Sequence, residues 1–527
     1  AQKASDNNLL KGNEVTDNDK NGIEILGASF NEIQGNEVDG NGARGIRIEA
    51  WVDLEAHEVI FSSQSNEIVN NDITNNKETG IELKGSSKNL IEGNLVDNNS
   101  EIGVYIHPLW GKNGENILKN SNKNDIVDNV IINTSRVNWN WAGQGIHITH
   151  GPKNNLVANN TVGNNYKGIG LWKVTGSVVE NNEVFGAEVL GIGVSQESHD
   201  NIIRGNYLHE NGRIGIISTG NSSGNTIVDN QIVKTRLVED DGDVLGIGLY
   251  LLAFSNISIK DNVIRDNAFG VIAASNEGGA LIKKNKVEGN TDGQFGMLHF
   301  LRKNEDVRWS FLSSFEGGGG LYLSGKNIEV VDNIITGNGF GVEFSYGSED
   351  NLVKNNTIRN NSSGNTTLSI RKSEQTTTNS GTLQKEINLL SPTHNLTTQS
   401  IQPQAWEPVK TLEVAQPGSF GLLLANASST LVEDNVFGNN GDNGVTMGGF
   451  SLPEYNLSGQ SSQNRYVSNV IQENYTGIHL GPYSEKNYFE KNQVNKSSQL
   501  MEKHILNSWE NHKNIIKKDL SENGLST

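Results

Sequence analysis

The chain of 527 residues has no cysteine, and only eight prolines and three methionines. No disulfide can hold the fold, although missing thiols assign no compartment by themselves. Long hydrophobic runs are absent too: no stretch approaches the length that spans a bilayer, and the first residues, AQKASDNN, lack the apolar core of a signal peptide. Membrane insertion is therefore not expected. Positive charge is scarce, with 42 Lys and Arg against 61 Asp and Glu, for a net charge of −19. That balance argues against broad electrostatic binding of nucleic acid or anionic membrane, and it weakens the case for a polyanionic substrate. No zinc-ligand spacing and no phosphate-binding glycine motif stands out. Helical periodicity is missing as well, because apolar residues come in pairs broken by Asn or Gly, too sparse for a 3.6-residue stripe.

What is present is a repeat. The stretch from Asn31 to Ile48, NEIQGNEVDGNGARGIRI, sets its grammar: Asn31, Asn36 and Asn41 punctuate at steps of five, Ile33 and Val38 sit two residues after the first two, and Gly45-Ile46-Arg47-Ile48 closes the unit. Asn8, Asn13 and Asn18 already hold this phase, with Leu10 and Val15 between them. Three strands of three or four residues per unit, with Asn and Gly allowing a sharp corner after each, make one coil of a parallel solenoid. Stacked coils would pair each strand with its copies and align the corner amides into hydrogen-bonded ladders. Right-handed winding is the default for L-residues. The Gly-apolar pair recurs at Gly22-Ile23, Gly80-Ile81, Gly145-Ile146, Gly246-Ile247 and on to Gly477-Ile478, stepping by 23 or 24 residues where no loop intervenes. Gly296-Met297 reads as a degenerate coil. The expected fold is an all-β, single right-handed parallel β-helix of about fifteen coils over residues 1–497. A capping helix and tail follow at 498–527, from the near-helical spacing of Leu500, Ile505, Trp509 and Ile516.

Insertions near 49–64, 107–123, 133–144, 234–245, 291–319, 362–419 and 448–463 all adjoin the Gly-φ-x-φ strand, where φ is apolar. Insertions confined to one face commonly mark the binding side of a repeat protein. The longest, 362–419, reads as an irregular excursion. No capping segment precedes the first coil, so either upstream sequence has been removed or another molecule covers that coil, as in end-to-end self-association.

Along Gly-φ-x-φ-x, alternation turns both φ residues inward and both x residues outward. One outward column runs Glu24, Arg47, Glu82, Tyr105, His147, Gly170, Gly193, Ile217, Gly248, Ile272. The other runs Leu26, Glu49, Lys84, His107, Thr149, Trp172, Ser195, Thr219, Tyr250. Glu82, Lys84, Tyr105, His107 and His147 should then cluster, and Gly170 and Gly193 should leave a bare floor beside Trp172 for a ligand. His or Tyr of neutral or lowered pKa could move a proton to or from a sugar. Arg47, Lys84 or Arg136 could stabilise developing negative charge. Hydrolysis would instead need two carboxylates, for which Glu49 with Glu82 is one pair. Trp51, Trp110, Trp139, Trp141, Trp309 and Trp406 all fall in insertions, and indole faces suit sugar rings. Asp240, Asp241 and Asp243 could bind calcium, the one cofactor the sequence suggests. His199 and His209 fall in ordinary repeat positions and read as structural.

The repeats NEIQGNEVDGNGARGIRI, NEIVNNDITNN and NLIEGNLVDNN resemble the Asn- and Gly-punctuated β-helix repeats of carbohydrate-binding and sugar-hydrolase type, shared by mannuronan C5-epimerases and some polysaccharide lyases. The likeness covers nearly the whole chain. The epimerases carry a catalytic strand resembling Tyr-Gly-x-Asp-Pro-His; Tyr105-Ile106-His107-Pro108 keeps its Tyr, His and Pro, lacks its Asp and reverses the last pair. The resemblance and the outward cluster imply a secreted or cell-surface protein that binds a polysaccharide and processes it, by lyase or epimerase chemistry ahead of hydrolysis. The alternative is a non-catalytic adhesive or filament-forming β-helix.

Overall fold

A computed structural model describes residues 5–495 except 54–57, 113, 115, 136–141, 241–242, 276–277, 292, 304–306, 346, 363–364, 375–407, 413–418, 449, 453–456 and 482, together with 515–516. At 239–240, 243–245, 294–303, 307–316, 365–374, 408–412, 450–452, 457–459 and 515–516 only the backbone path is described. Contacts divide the chain into two compact units, Ala1–Ile232 with Ser391–His394, and Val233–Leu390 with Asn395–Thr527.

In the first unit each coil contributes one strand to each of three parallel sheets. Leu9–Lys11 pairs with Glu32–Gln34, which pairs with Glu67–Val69; Glu14–Thr16 with Glu37–Asp39 and then Asp72–Thr74; Ile23–Leu26 with Ile46–Glu49 and then Thr79–Lys84. The apolar residue of each strand turns inward and is sealed: Ile33, Val38, Ile46, Ile48, Ile68 and Ile73 have no exposed surface. Each such side chain contributes about 1.5–3 kcal/mol by leaving water, and the next coil repeats the gain.

The corners divide their labour between two neighbours. The residue entering the left-handed region is the one before the punctuating Asn: Gly35 and Gly40 before Asn36 and Asn41, Asn70 and Asn75 before Asn71 and Asn76. The punctuating Asn itself is buried and forms the ladder. Asn36 Nδ2 donates to Asn71 Oδ1 at 2.8 Å, Asn71 to Asn94, Asn94 to Asn129, and Asn129 to Asn160. The same amide also donates to a core-strand carbonyl, as Asn71 does to Ile33 at 2.9 Å. Burying an amide without partners would cost about 1–3 kcal/mol, so the ladder converts a polar corner into a repeating element of the core.

The second unit repeats the three-sheet coil, with strands such as Ile257–Lys260, Val263–Arg265 and Phe269–Ala274 pairing onto Ala280–Lys283, Lys286–Glu288 and Gly319–Ser324. Its entry corrects the expected phase. The residue paired with Val271 is Leu249, not Ile247, so Tyr250 stands opposite Ile272 where Gly248 was expected. Two Gly-apolar pairs follow one another at Gly246-Ile247-Gly248-Leu249, and packing selects the second. A Cβ on Gly248 would meet Ile264 and the Gly270 carbonyl oxygen, the same tight slot that Gly80 occupies against Val96 and the Gly103 carbonyl.

The described parts of the insertions carry regular structure. Val238–Asp240, Asp243–Leu245, Gln294–Lys303, Val307–Glu316, Asn365–Glu374 and Pro408–Leu412 form one antiparallel sheet. Gly296-Met297 therefore lies in an antiparallel strand opposite Ser314 and Ser313, not in a coil. The described parts of 362–419 belong to that sheet; the rest lies outside the described residues. Phe450–Leu452 and Leu457–Gly459 form a hairpin. The expected capping helix falls on 498–527, where only Ile515–Ile516 is described, as a strand paired with Tyr488–Phe489. Among the described residues no helix is long and apolar enough to cross a membrane.

Candidate functional site

The site lies wholly in the first unit, on the outward side of the Gly-φ-x-φ strands. Parallel register places Glu24, Arg47, Glu82, Tyr105, His147, Gly170 and Gly193 in one column, as the alternation requires. Glu49, Lys84 and His107 form the neighbouring column, and Thr149, Trp172 and Ser195 continue it. In the coils carrying Glu82, Tyr105 and His147 the strand starts earlier than the glycine, as Thr79–Lys84, Ile102–His107 and Gln144–Thr149. That extension brings in residues the two-column reading misses.

Glu82 is the hub, with its side chain 4% exposed. Arg44 Nε and Arg47 Nε each lie 2.8 Å from Glu82 Oε2, and His107 Nε2 lies 3.1 Å from Oε1. Burial alone would raise the pKa of this carboxyl. The hydrogen bond and charge of His107, with the charges of Arg44 and Arg47, outweigh that and bring it down to about 2. Glu82 is therefore a permanent carboxylate that orients His107, in the way a buried carboxylate orients the imidazole of a hydrolase triad. Around it the charges alternate: Arg44 also pairs with Glu78 at 2.8 Å, Arg47 with Glu24 at 3.1 Å and with Glu49, and Lys84 with Glu49 at 3.1 Å.

Tyr105 stacks on His107 with ring centroids 4.2 Å apart, and on His147 at 5.5 Å. Its phenol is not activated. Burial, then the charges of Glu82 and Glu101, push the Tyr105 pKa up, so the expectation of a neutral or lowered value fails and the group is a proton donor at neutral pH. His147 is almost completely buried, and burial, with help from Lys167, holds its pKa well below the usual imidazole value. Gln144 Nε2 lies 3.1 Å from His147 Nδ1, so the donating amide leaves the imidazole proton on Nε2. His107 Nδ1 and Tyr105 Oη have no hydrogen-bond partner among the described residues.

Gly170 and Gly193 do not leave the expected bare floor. A Cβ on Gly170 would collide with Gln144 Oε1, and Gly193 is buried beside Leu190 and Ile217. Gly170 makes room for the glutamine that hydrogen-bonds His147, whereas a Cβ on Gly193 would meet only ordinary contacts.

One side of the column carries a wall. Trp51–Asp53 pairs antiparallel with Glu58–Phe61, and Leu109–Trp110 with Ile117–Lys119. Lys119 Nζ donates to Ser62 Oγ at 3.1 Å, tying one hairpin to the other. His150, unforeseen from sequence, stacks on Trp172 at 5.7 Å and meets the Trp110 ring edge-on at 5.6 Å. It is one of the non-glycine residues in the left-handed region, at φ 65°. The aromatic wall therefore joins Trp110, His150 and Trp172, with Trp51 against Phe61 further along. Arg136, Trp139, Trp141 and Trp406 lie outside the described residues, as does the side chain of Trp309. Asp240 and Asp243 face each other across a hairpin register; Asp241 and the side chains of all three lie outside the described residues.

Arg44, Glu78, Glu101, Gln144 and His150 are the site residues that the columns missed. Glu78 and Glu101 stack just before the glycine, Glu101 N donating to Glu78 O at 2.8 Å. The visible signal was upstream of each Gly-φ pair: charged or amide residues at Arg44, Glu78 and Glu101, and at Gln144, the last residue of the 133–144 insertion.

A family model for the right handed beta helix region matches residues 53–183, 117–239, 175–304 and 243–382. No curated protein matches the chain. Among solved structures it is similar to the periplasmic alginate epimerase AlgG (13% identity over 85% of this chain and 77% of that one, TM-score 0.33). It is also similar to the A-module of the Azotobacter vinelandii mannuronan C-5 epimerase AlgE6 (11%, 90% and 91%, 0.36) and to the GH136 lacto-N-biosidase from Eubacterium ramulus (12%, 50% and 50%, 0.36). At this likeness nothing about the chemistry of the present chain follows from them. The family matches together run over more than half of the sequence, and they agree with the three-sheet coils: the chain belongs to the right handed beta helix family.

Proposed function

We propose that this is a secreted or cell-surface protein that binds a polysaccharide against the Trp110–His150–Trp172 wall and abstracts a proton from a sugar carbon next to a carbonyl. The observation that carries the reading is the Glu82–His107–Tyr105 constellation: an imidazole fixed by a buried, arginine-held carboxylate and stacked on a neutral phenol. His107 Nδ1 takes the C5 proton of a uronic residue. In elimination the C4–O bond then breaks as C4=C5 forms, and the leaving oxygen takes the Tyr105 proton; His107 returns its proton to the tyrosinate. Elimination is favoured over epimerisation, because the stacked His107 and Tyr105 reach the sugar from one side, whereas epimerisation needs an acid on the opposite face of C5. Hydrolysis by Glu49 and Glu82 fits less well, because both carboxylates are tied into ion pairs and Glu82 cannot hold a proton to give to a leaving group.

The test is incubation with a panel of polysaccharides, with and without calcium, following absorbance of unsaturated products and new reducing ends. Unsaturated product that vanishes in His107→Ala supports the reading, and reducing ends without unsaturation contradict it. Calcium-dependent turnover would bring Asp240, Asp241 and Asp243 into the account.

A non-catalytic reading draws on the exposed Leu9, Leu26 and Phe30 of the first two described coils, a surface suited to contact with a second copy. Sedimentation that stays monomeric across concentration, and that does not change in Phe30→Ser, would count against it.

A further inference from the structure

Resting on the reading of the site as a C5 proton-abstraction centre, the way Tyr105 and His107 stand together narrows which uronates it can cleave. Both side chains rise from one strand, Ile102–His107, on the outward side of the sheet, with Ile106 between them turned inward and without exposed surface. Their rings lie 4.2 Å apart, centroid to centroid, with planes 21° from parallel. That is a face-to-face contact, with no space between the rings for a sugar. His147, one coil on, stacks on the same phenol ring at 5.5 Å. The Tyr105 hydroxyl and His107 Nδ1 therefore belong to the rim of one continuous stack, and the strand that carries both closes the side behind it.

Elimination takes H5 from one carbon of the uronate and the 4-oxygen from the next. When the two lie on opposite faces of the pyranose, base and acid must grip the ring from both faces. Each then stands about 3–3.5 Å from its target, so the two are at least about 6–7 Å apart with the sugar between them. The stacked pair cannot open around a pyranose in this way and keep its contact. When H5 and the 4-oxygen share a face, one stack serves both atoms. His107 Nδ1 takes H5, the C5–H electron pair becomes the C4=C5 bond, the C4–O bond breaks, and the departing oxygen takes the Tyr105 proton. Configuration decides which case applies. D-Glucuronate and D-mannuronate carry an equatorial 4-oxygen on the same face as H5. D-Galacturonate, inverted at C4, and L-guluronate and L-iduronate, inverted at C5, place the two on opposite faces.

We propose that the Tyr105–His107 stack is a syn-eliminating centre, that the residue it cleaves is a 1,4-linked uronate with H5 and the 4-oxygen cis, as in D-glucuronate and D-mannuronate, and that galacturonate, guluronate and iduronate pass uncleaved.

The test gives the full chain two matched pairs: β-1,4-glucuronan with polygalacturonate, whose uronates differ in configuration at C4, and poly-β-D-mannuronate with poly-α-L-guluronate, which differ at C5. Both members of a pair yield the same unsaturated residue, so one absorbance reports all four, and kcat is compared at saturating polymer. In any pair that is cleaved, the cis member should react at least about 100-fold faster, the low end of what a positioned general acid contributes. A polymer mixed from the two C5 epimers removes differences in chain shape. There, by NMR, H5 of mannuronate should fall, H5 of guluronate should persist, and no mannuronate should turn into guluronate. Tyr105→Phe, which keeps the ring stack, should lower kcat on the cis polymers by about 10²–10⁴-fold. A smaller cis preference, accumulation of a C5 epimer, or wild-type turnover in Tyr105→Phe overturns the inference and leaves the proton-abstraction reading standing. Loss of H5 from none of the polymers takes down that reading, and this inference with it.

Discussion

Two strands of the first unit carry Tyr-x-His, Ile102–His107 and Tyr207–His209, and each has a glutamate one coil earlier in register with its tyrosine: Glu82 opposite Tyr105, Glu183 opposite Tyr207. The local geometry nearly coincides. The rings stack at 4.2 and 4.6 Å, and the glutamate Oε1 lies 3.1 and 3.2 Å from the histidine Nε2. The surroundings do not coincide. Glu82 is 4% exposed and held by two arginines, whereas Glu183 is 48% exposed and has no ion-pair partner but His209 among the described residues. Stacked coils produce this constellation from register alone. What separates the two is burial and charge: Glu82 is closed in by Arg44, Arg47 and His107, and that setting makes its carboxylate–imidazole contact strong. In solvent the same contact is worth about 0–1 kcal/mol.

The sharpest way to break the comparison is to remove the histidines. His107→Ala should lower turnover by about 10²–10⁴-fold, the usual range for a lost general base, while His209→Ala should leave it unchanged; product absorbance measures both. Next come the carboxylates. Glu82→Gln leaves Arg44 and Arg47 half-buried without their shared anion and should cost about 3–5 kcal/mol, against less than about 0.5 kcal/mol for Glu183→Gln at the surface, read by urea unfolding. Glu82 should also make stability fall in acid. Its folded pKa is depressed to about 2, so its contribution is complete above the unfolded carboxylate value near 4.5 and is lost as pH falls from there toward 2. Glu183→Gln should leave that loss in place, and Glu82→Gln should remove it. His147 adds an earlier onset: its folded pKa is lowered, so the unfolded chain binds more protons once pH drops below about 6.5. His147→Gln should flatten the stability curve just below that pH. The smallest contrast is in the ladder. Asn129→Ala should cost about 1–3 kcal/mol from unpaired amide and carbonyl partners, with turnover per folded molecule unchanged.

The fold was legible because every coil repeats the same physical demand. A buried amide must be paired and a corner must turn, so Asn and Gly recur at fixed steps, and the register of Glu24, Arg47, Glu82, Tyr105 and His147 follows by counting. Legibility failed where two answers fit the count. At Gly246-Ile247-Gly248-Leu249 both pairs satisfy the pattern, and only the space against Ile264 chooses. It failed again where partners are distant in sequence: strands 294–303, 307–316 and 365–374 are sheet because they meet one another, and none follows the coil grammar. At the site, residue types were readable and protonation was not. Glu82 owes its state to His107, Arg44 and Arg47, and Tyr105 to burial with Glu82 and Glu101, so the phenol expected to have a neutral or lowered pKa has a raised one, and Gly170, read as ligand floor, seats Gln144.

The most direct test is proton exchange at the sugar carbon itself. Wild-type protein, His107→Ala and His209→Ala are incubated in D2O with the polysaccharide that the panel selects, and the H5 signal is followed by NMR. The buried constellation predicts loss of H5, through deuterium uptake or conversion to the unsaturated residue, with wild type and His209→Ala and not with His107→Ala. Retention of H5 with wild-type protein while the polymer is shortened, or equal exchange by all three proteins, would contradict it.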